Sequence, residues 1–178
     1  MLGVAVGVFA WLAVQSHREA GLGRTANSAP PPMRHIPPDR MALLARFVPP
    51  EFEAAGNAKG SPAFRDAMEH YRRQDYAGAA AGLRAITEAE PQSVDAQFYL
   101  AICLLLTNDR AGGIRLLRDV TANSQTPYVE SARFYLAKAL VSEGNLAGAD
   151  LQLRIIMEMH GKLEKQAQEL HAQIIPSP

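Results

Sequence analysis

Histidine and cysteine are the residues of this chain that could bind a metal or act as nucleophiles, and their placement argues against both roles. The single cysteine, Cys103, lies inside an apolar run of helical character, where a thiol is usually a small buried hydrophobic group. The histidines are scattered along the chain without partners at the spacing of metal ligands. They are His17, His35, His70, His160 and His171. We therefore predict no metal site and no bound cofactor.

One further stretch, MEMH at residues 157–160, carries side chains that could hold a soft metal. Met157 falls on the apolar stripe of a predicted helix, however, so packing in the core is favoured. The chain has no Gly-rich phosphate loop, no serine or cysteine in a nucleophile-elbow context and no paired carboxylates that would form a cleft. We predict that it has no catalytic residues and is not an enzyme.

Length and charge limit the class of protein further. The 178 residues leave room for one modest domain with additional segments. Eighteen Lys and Arg residues balance eighteen Asp and Glu residues, so no net positive charge attracts phosphates. We therefore predict that nucleic acid is not a partner.

The N-terminus carries a segment that is directed to a membrane. Residues 2–14, LGVAVGVFAWLAV, include no polar side chain, and the first charge follows at Arg18. Such a helix covers about 20 Å, less than the hydrocarbon core of a bilayer, which is about 30 Å thick. A transmembrane anchor and a signal segment both stay open for residues 1–16. We favour the anchor, with a single span, because no basic region precedes the apolar run and Trp11 lies where an interfacial aromatic would.

Residues 17–60 are predicted to form a proline-rich linker. Eight of the twelve prolines lie between Pro30 and Pro62, and such a stretch favours extended chain over packed elements. Within the linker, DRMALLARFV from Asp39 to Val48 has apolar residues at helical spacing after a cap-like aspartate. Two interpretations stay open: a short helix that docks on the folded domain or on a partner, and a nascent turn in a poorly ordered linker.

The rest of the chain recurs at a fixed period. The tetrapeptide FYLA occupies residues 98–101 and returns 36 residues later at 134–137. Polar turns also occupy equivalent places, 34 and then 36 residues apart. These turns are Gln74-Asp75-Tyr76, Asn108-Asp109-Arg110 and Gly144-Asn145-Leu146. A period of about 34 residues indicates a helix-turn-helix repeat.

Equivalent residues of the three units make the chain resemble the tetratricopeptide-repeat family, in a bacterial, membrane-anchored form. Each unit has two small residues, which would let paired helices approach closely, and a leucine four residues after the second. They are Ala67, Ala79 and Leu83 in the first unit, Ala101, Gly113 and Leu117 in the second, and Ala137, Ala149 and Leu153 in the third. The chain departs from the family pattern at Asp66, where leucine is usual, and only the first unit closes with a proline, Pro91.

The resemblance implies an all-α fold of three stacked helix-turn-helix repeats, preceded by the apolar helix and the proline-rich linker. A C-terminal helix would cover the last apolar face with one helical stripe, formed by Leu163, Ala167, Leu170 and Ile174. The predicted repeat domain spans residues 61–178, with repeats at about 60–93, 94–127 and 130–161 and the capping helix at about 162–175.

The resemblance also implies a binding groove, because the family holds peptide segments of partner proteins against the first helices of its repeats. This groove would suit a peptide or helix segment with hydrophobic anchors and acidic groups. The predicted partner-binding residues are Phe64, Arg65, Met68, Arg72, Tyr99, Ile102, Leu105, Tyr135 and Lys138. The alternative is that the two arginines are only solvated charges, and that Phe64 and Tyr99 serve only the packing of the hairpins.

These features together predict a membrane-tethered adaptor that binds another protein. Two other functions stay open. The protein could be a structural subunit of an envelope or secretion assembly, or the sensor half of a transmembrane regulator of the anti-sigma type, which the order of anchor and repeats resembles. The regulator would need a zinc-binding cluster of Cys and His before the span, which this sequence does not contain.

Overall fold

The computed structural model describes residues 36–51, 61–123 and 125–175, so the predicted N-terminal span lies outside the described residues. The described residues form eight α-helices and no strand, and the all-α fold is confirmed. The helices are α1 (Pro38–Leu44), α2 (Pro62–Arg72), α3 (Tyr76–Ala89), α4 (Val94–Leu106), α5 (Arg110–Ala122), α6 (Val129–Ser142), α7 (Leu146–Met159) and α8 (Glu164–Ile174). None of these eight helices is long and apolar enough to cross a membrane.

Helices α2 to α7 form three helical hairpins that stack in chain order. From α2 to α7, each helix packs on the next one along the chain, and α4 also contacts α6. The FYLA motif recurs because α4 and α6 occupy equivalent places in this stack. Stability in such an array comes mainly from contacts between neighbouring units.

The polar turn inside each hairpin has the same geometry in all three repeats. Its first residue has a positive φ angle, and its second is the N-cap of the next helix. These residue pairs are Gln74-Asp75, Asn108-Asp109 and Gly144-Asn145. In each turn the side-chain oxygen of the cap accepts the amide three residues later, at 2.9, 3.0 and 2.9 Å. The cap therefore satisfies an amide that the helix leaves without a partner.

Small residues allow the helices of a hairpin to approach closely, as the repeat pattern predicts. A Cβ atom added at Gly113 would lie 2.7 Å from Cδ2 of Leu105 and 3.1 Å from the carbonyl oxygen of Ala101. A Cβ atom added at Gly82 would lie 3.0 Å from that of Ala67. A larger residue at either glycine would push its helix away from the partner helix.

The junction between the second and third repeats holds six residues, 123–128, against four at 90–93 between the first and second. Its longer path places Tyr128 flat on Phe98, with ring centroids 4.6 Å apart and an angle of 17° between the rings. The Thr126 hydroxyl accepts the backbone amide of Tyr128 at 3.2 Å and thereby fixes the end of the loop. The irregular spacing of 36 residues thus serves an aromatic contact between repeats.

Helix α8 packs on α7 and buries most of its predicted apolar stripe, namely Ala167, Leu170 and Ile174. Its own N-cap residue, Leu163, makes no capping bond through its side chain. Instead the Glu130 carboxylate of α6 accepts the amide of Leu163 at 2.7 Å and that of Lys162 at 3.2 Å. A negative charge from the third repeat therefore holds the start of the capping helix.

The decapeptide DRMALLARFV of the linker docks on the folded domain, because helix α1 packs on α6. The predicted cap at Asp39 is wrong, because Pro37 is the N-cap and Asp39 lies in the first turn. Proline at the first helical position, Pro38, already has the φ angle that a helix needs. The helix also ends at Leu44, four residues before the predicted end, and the chain continues without helix through Glu51.

Candidate functional site: a peptide groove on the first helices

The first helices of the repeats, α2, α4 and α6, carry a continuous run of aromatic rings. The ring of Tyr99 in α4 lies 5.4 Å from that of Tyr71 in α2 and 5.3 Å from that of Phe98, measured between centroids. Phe98 in turn lies 6.4 Å from Tyr135 in α6. All three contacts have the edge-to-face geometry that aromatic pairs prefer, so the run forms a firm floor across the repeats.

Residues 36–51, which we call the docked segment, lie on the face of the repeats that α6 presents. Ile36 and Ala45 are each only 5% exposed. Three further apolar side chains of the segment are half-buried against the same core, namely Met41, Leu44 and Phe47. The opposite side of α1 faces outward, and Leu43 is 69% exposed. The seven residues of α1 therefore act as an amphipathic turn that seats one apolar face.

Beyond α1, the docked segment is held through its main chain. Alternate carbonyl groups accept hydrogen bonds from side chains of α6 and α2. The ammonium of Lys138 donates to the carbonyl of Arg46, the hydroxyl of Tyr135 donates to that of Val48 at 2.5 Å, and the hydroxyl of Tyr71 donates to that of Pro50 at 3.0 Å. Carbonyls two residues apart point to the same side of an extended chain, so three fixed donors can bind them in a row. We call these three side chains the carbonyl ladder.

The electrostatics of the carbonyl ladder suit hydrogen-bond donation. Burial, with a smaller effect from Tyr99, raises the pKa of Tyr135 to about 12, and burial raises the pKa of Tyr71 further above its ordinary value. Both hydroxyls therefore stay protonated at neutral pH and keep their donor hydrogens. Burial, and then the nearby charge of Arg46, lowers the pKa of Lys138. The docked segment thus brings a second positive charge to a lysine that is already partly desolvated.

Two cavities flank the docked segment. One, of about 670 Å³, lies between the segment, α6 and α8, where Leu43 and Val48 face Phe134 and Leu170. The other, of about 330 Å³, lies between α1 and the second repeat, and its lining includes Leu105 and Arg110. The segment therefore fills only part of the surface that the first helices and the capping helix present.

The predicted partner-binding residues fall into three groups. Five of them are at most 5% exposed and belong to the floor of the groove: Phe64, Met68, Tyr99, Ile102 and Leu105. Tyr135 and Lys138 contact the docked segment directly. Arg65 and Arg72 are exposed at the first repeat, and Arg72 pairs with Glu69 at 3.0 Å. Partner binding by these nine residues stays a prediction.

Sequence reasoning missed Tyr71, the third member of the carbonyl ladder. Tyr71 stands at the position of Leu105 in the second repeat, so the register of the repeats places both residues on the same face. An aromatic residue with a hydroxyl at that position was the available signal. Sequence reasoning also left out Phe134, whose ring centroid lies 5.8 Å from the ammonium of Lys138.

The described residues hold no group of three or more His, Cys, Asp or Glu side chains that could bind a metal ion. Cys103 is buried, and burial raises the pKa of its thiol to about 12. This thiol therefore stays protonated at neutral pH and is a poor nucleophile.

Stacked helical hairpins with a groove along their first helices define this chain as a helical-repeat protein. The family model described as tetratricopeptide repeat matches residues 70–133, from the last turn of α2 into α6. The middle of the array therefore carries repeats of this type, which generally mediate contacts between proteins and typically have no enzymatic activity. A comparison with curated proteins gives no match.

Proposed function

We propose that this protein is a non-enzymatic adaptor whose groove binds a peptide or short helical segment of a partner protein. One observation supports the proposal above all: the carbonyl ladder binds residues 46–50 through main-chain atoms that every peptide has. A surface that recognises extended chain in this way can bind a partner's chain by the same bonds.

The nine predicted residues have different roles in this proposal. The five buried side chains keep the helices in place and give the groove an apolar floor. Tyr135 and Lys138, together with Tyr71, bind the main chain of the ligand. Arg65 and Arg72 lie at the first repeat, where they would meet acidic groups of a longer ligand. The energetic centre of the site is thus on α6, and the basic end is on α2.

We propose in addition that residues 2–14 tether the adaptor to a membrane as a single N-terminal span. Their uninterrupted apolar sequence supports this proposal. The full chain should remain in the membrane fraction after extraction with alkaline carbonate, and a chain without residues 2–14 should be released. Release of both chains would contradict the tether and leave the groove proposal untouched.

The groove proposal can be tested by affinity purification from detergent-solubilised native membranes, with the full chain as bait. All baits carry Ala45→Lys, a charge at a buried position of the docked segment that should expel it, so that the other substitutions act on the partner alone. In this background the Tyr135→Phe, Lys138→Met double variant loses two hydrogen bonds worth about 1 kcal/mol each and should capture its partner about thirtyfold more weakly. The matched control is Tyr76→Phe with Arg118→Met, the same chemical changes on second helices.

A partner that the control bait captures and the groove variant loses would support the adaptor function. Its binding segment can then be mapped with overlapping synthetic peptides. Equal capture by both variants would contradict binding through the groove.

A further inference from the structure

The docked segment fits the groove by shape but conflicts with it by charge. Arg46 lies beside Lys138, whose ammonium binds the Arg46 carbonyl, and its charge contributes to lowering the pKa of that lysine. Arg46 also lines the 330 Å³ cavity together with Arg110 of α5, and none of the residues described around this cavity is acidic. Arg46 of the docked segment therefore lies near two other cations, Lys138 on one side and Arg110 on the other. Neighbouring like charges repel each other, most strongly at low salt.

The docked segment is also a weakly held element. Its helix has only seven residues and no capping bond from a side chain, and such short helices do not form without tertiary contacts. Only Ile36 and Ala45 of the segment are deeply buried, and both side chains are apolar. Elements with few buried residues open at low free energy, well below that of global unfolding. The segment is therefore suited to leave the groove while the repeats stay folded.

We propose that the external ligand of the groove is an acidic counterpart of residues 36–51, and that the docked segment must leave before this ligand binds. The ligand would have a short helical turn with an apolar face, an extended continuation, and a carboxylate where Arg46 now lies. This inference rests on the proposed function, and it adds the charge of the partner and the element that controls access to the groove.

The carboxylate gives the external ligand an advantage that partly offsets the proximity of the docked segment. The segment is joined to α2 by only ten residues, 52–61, so its effective concentration at the groove is on the order of millimolar. A ligand of identical sequence would compete poorly against it. In the external ligand, an acidic residue at the position of Arg46 replaces repulsion from Lys138 and Arg110 by attraction. We expect this change to tighten binding of the ligand about three- to tenfold at low salt.

The test uses two synthetic peptides labelled with a fluorophore: residues 36–51 in their own sequence, and the same peptide with Arg46→Glu. Their binding to the full chain in detergent is measured by fluorescence anisotropy. Because a groove that is open for a fraction of the time binds with its affinity reduced by that fraction, a chain with the segment expelled should bind both peptides more tightly.

The segment is expelled by Ala45→Lys, which places a further cation at the buried residue directly after α1. The control is Asp39→Lys, which places a lysine at an exposed position of α1 that lines neither cavity. We expect the Ala45→Lys chain to bind the peptides at least tenfold more tightly than the wild type and the control. Ile36→Lys is a second expelling variant, and the circular dichroism of each chain reports whether the repeats remain folded.

A charge exchange in the groove tests the acidic preference independently. In the Ala45→Lys chain, Lys138→Glu should abolish the preference for the acidic peptide, because one negative and one positive charge then face position 46. Without Lys138→Glu, the difference between the peptides should shrink as the salt concentration rises.

The outcomes separate this inference from the proposed function. Tighter binding by both expelling variants, with the acidic peptide preferred, would support the inference. Equal affinity of the wild type and the expelling variants would show that the groove binds peptides without control by the docked segment, which overturns the inference alone. A peptide order that Lys138→Glu does not change would overturn the acidic preference. Absence of binding to every folded chain would overturn both the inference and the proposed function.

Discussion

At Tyr135 a single hydroxyl joins α6 to Val48, a residue 87 positions earlier in the chain. Such a bond organises the groove only if its loss loosens the docked segment without unfolding the repeats. The neighbouring bond from Lys138 spans 92 positions and the bond from Tyr71 spans 21. Individual side chains can therefore be tested for their part in holding the segment.

The change Tyr135→Phe should loosen the docked segment. It removes one hydrogen bond and keeps the ring. The free energy of undocking should therefore fall by about 1 kcal/mol, so the undocked fraction should rise about fivefold. Trypsin cuts after Arg40 and Arg46 only when the segment leaves the groove, so cleavage at these sites should accelerate by the same factor. Tyr76→Phe keeps the ring that packs on Tyr71 and removes a hydroxyl that makes no bond to the docked segment, so it should leave the cleavage rate unchanged. Equal acceleration by both variants would contradict the role of Tyr135.

The cap residue Asp75 should make part of the stability dependent on pH. The Gly78 amide, and then His70, lower the pKa of Asp75 below its usual value of 3.8. Because the folded state favours the carboxylate, this stabilisation is present above about pH 4 and is lost as the pH falls through the lowered pKa. Asp75→Asn keeps a neutral cap and should remove this dependence.

Urea unfolding of both chains between pH 7 and pH 2.5 measures this effect. The difference between their free energies of unfolding should be constant at the upper end and fall on acidification. A difference that does not change with pH would show that Asp75 is not stabilised as a carboxylate.

Candidate site residues could be predicted from the sequence only where alignment of the three repeats places equivalent positions on one face. Tyr135 and Lys138, which contact the docked segment, were named because equivalent positions of stacked hairpins share one face. Their hydrogen bonds to carbonyl groups could not be predicted, because the acceptors are main-chain atoms of Arg46 and Val48. Every residue has such a carbonyl, so the amino-acid sequence does not mark these two. The floor residues, such as Ile102, look alike whether they serve a ligand or only the core.

At the scale of elements, the capping helix α8 depends on a residue of another helix. The carboxylate of Glu130 takes the space beside Gly161, where an added Cβ would lie 2.3 Å from one carboxylate oxygen. Glu130→Ala should destabilise α8 by about 1 to 3 kcal/mol, because two amides lose a charged acceptor. Glu143→Ala, at the other end of α6, is the matched control and should change stability little.

A double-mutant cycle isolates this contact. Gly161→Ala should be destabilising in the wild type, where it displaces Glu130, and nearly neutral in the Glu130→Ala chain. We expect a coupling energy of about 1 to 2 kcal/mol from urea unfolding. Additive effects of the two changes would show that the carboxylate does not occupy this position.

Close packing inside the second hairpin should reverse the usual effect of a glycine-to-alanine substitution on helix stability. Alanine in place of glycine normally stabilises a helix by about 1 kcal/mol. Gly113→Ala should instead destabilise by about 1 to 3 kcal/mol, because its methyl group would press on Leu105 and on the backbone of Ala101. A denaturation midpoint that rises with Gly113→Ala would contradict the close approach of α4 and α5.

The helices of the repeats were predictable because periodicity, caps and small residues agree at every level. The docking of α1 was left open because its pattern covers less than three helical turns, and the contacts that fix it are distant in the sequence. Its end at Leu44 follows from those contacts, since the carbonyls of the next residues bind the groove and not the helix. Prolines 49 and 50 only prevent a later return to helix.

At the scale of the whole molecule, the described repeats hold a segment of their own chain, residues 36–51. The array is stabilised by contacts between neighbouring repeats, whereas the segment is held by one apolar face and three bonds to its main chain. These two parts should therefore respond differently to the same perturbation.

In the full chain, Arg46→Glu should slow tryptic cleavage after Arg40 about threefold or more at low salt, since it relieves the repulsion from Lys138. Cleavage that is unchanged or faster would contradict the charge conflict.

The most direct test of the account is hydrogen exchange of the full chain in detergent, followed by mass spectrometry of fragments that cover residues 36–51 and α6. Without ligand, the amides of residues 41–46, which are hydrogen-bonded in α1 and at its end, should be protected, though less than those of α6. With an excess of the Arg46→Glu peptide, we predict that the segment loses its protection while α6 keeps it. Exchange of the segment at the rate of an unfolded chain before the peptide is added, or protection that a bound peptide leaves unchanged, would contradict a groove that holds one chain at a time.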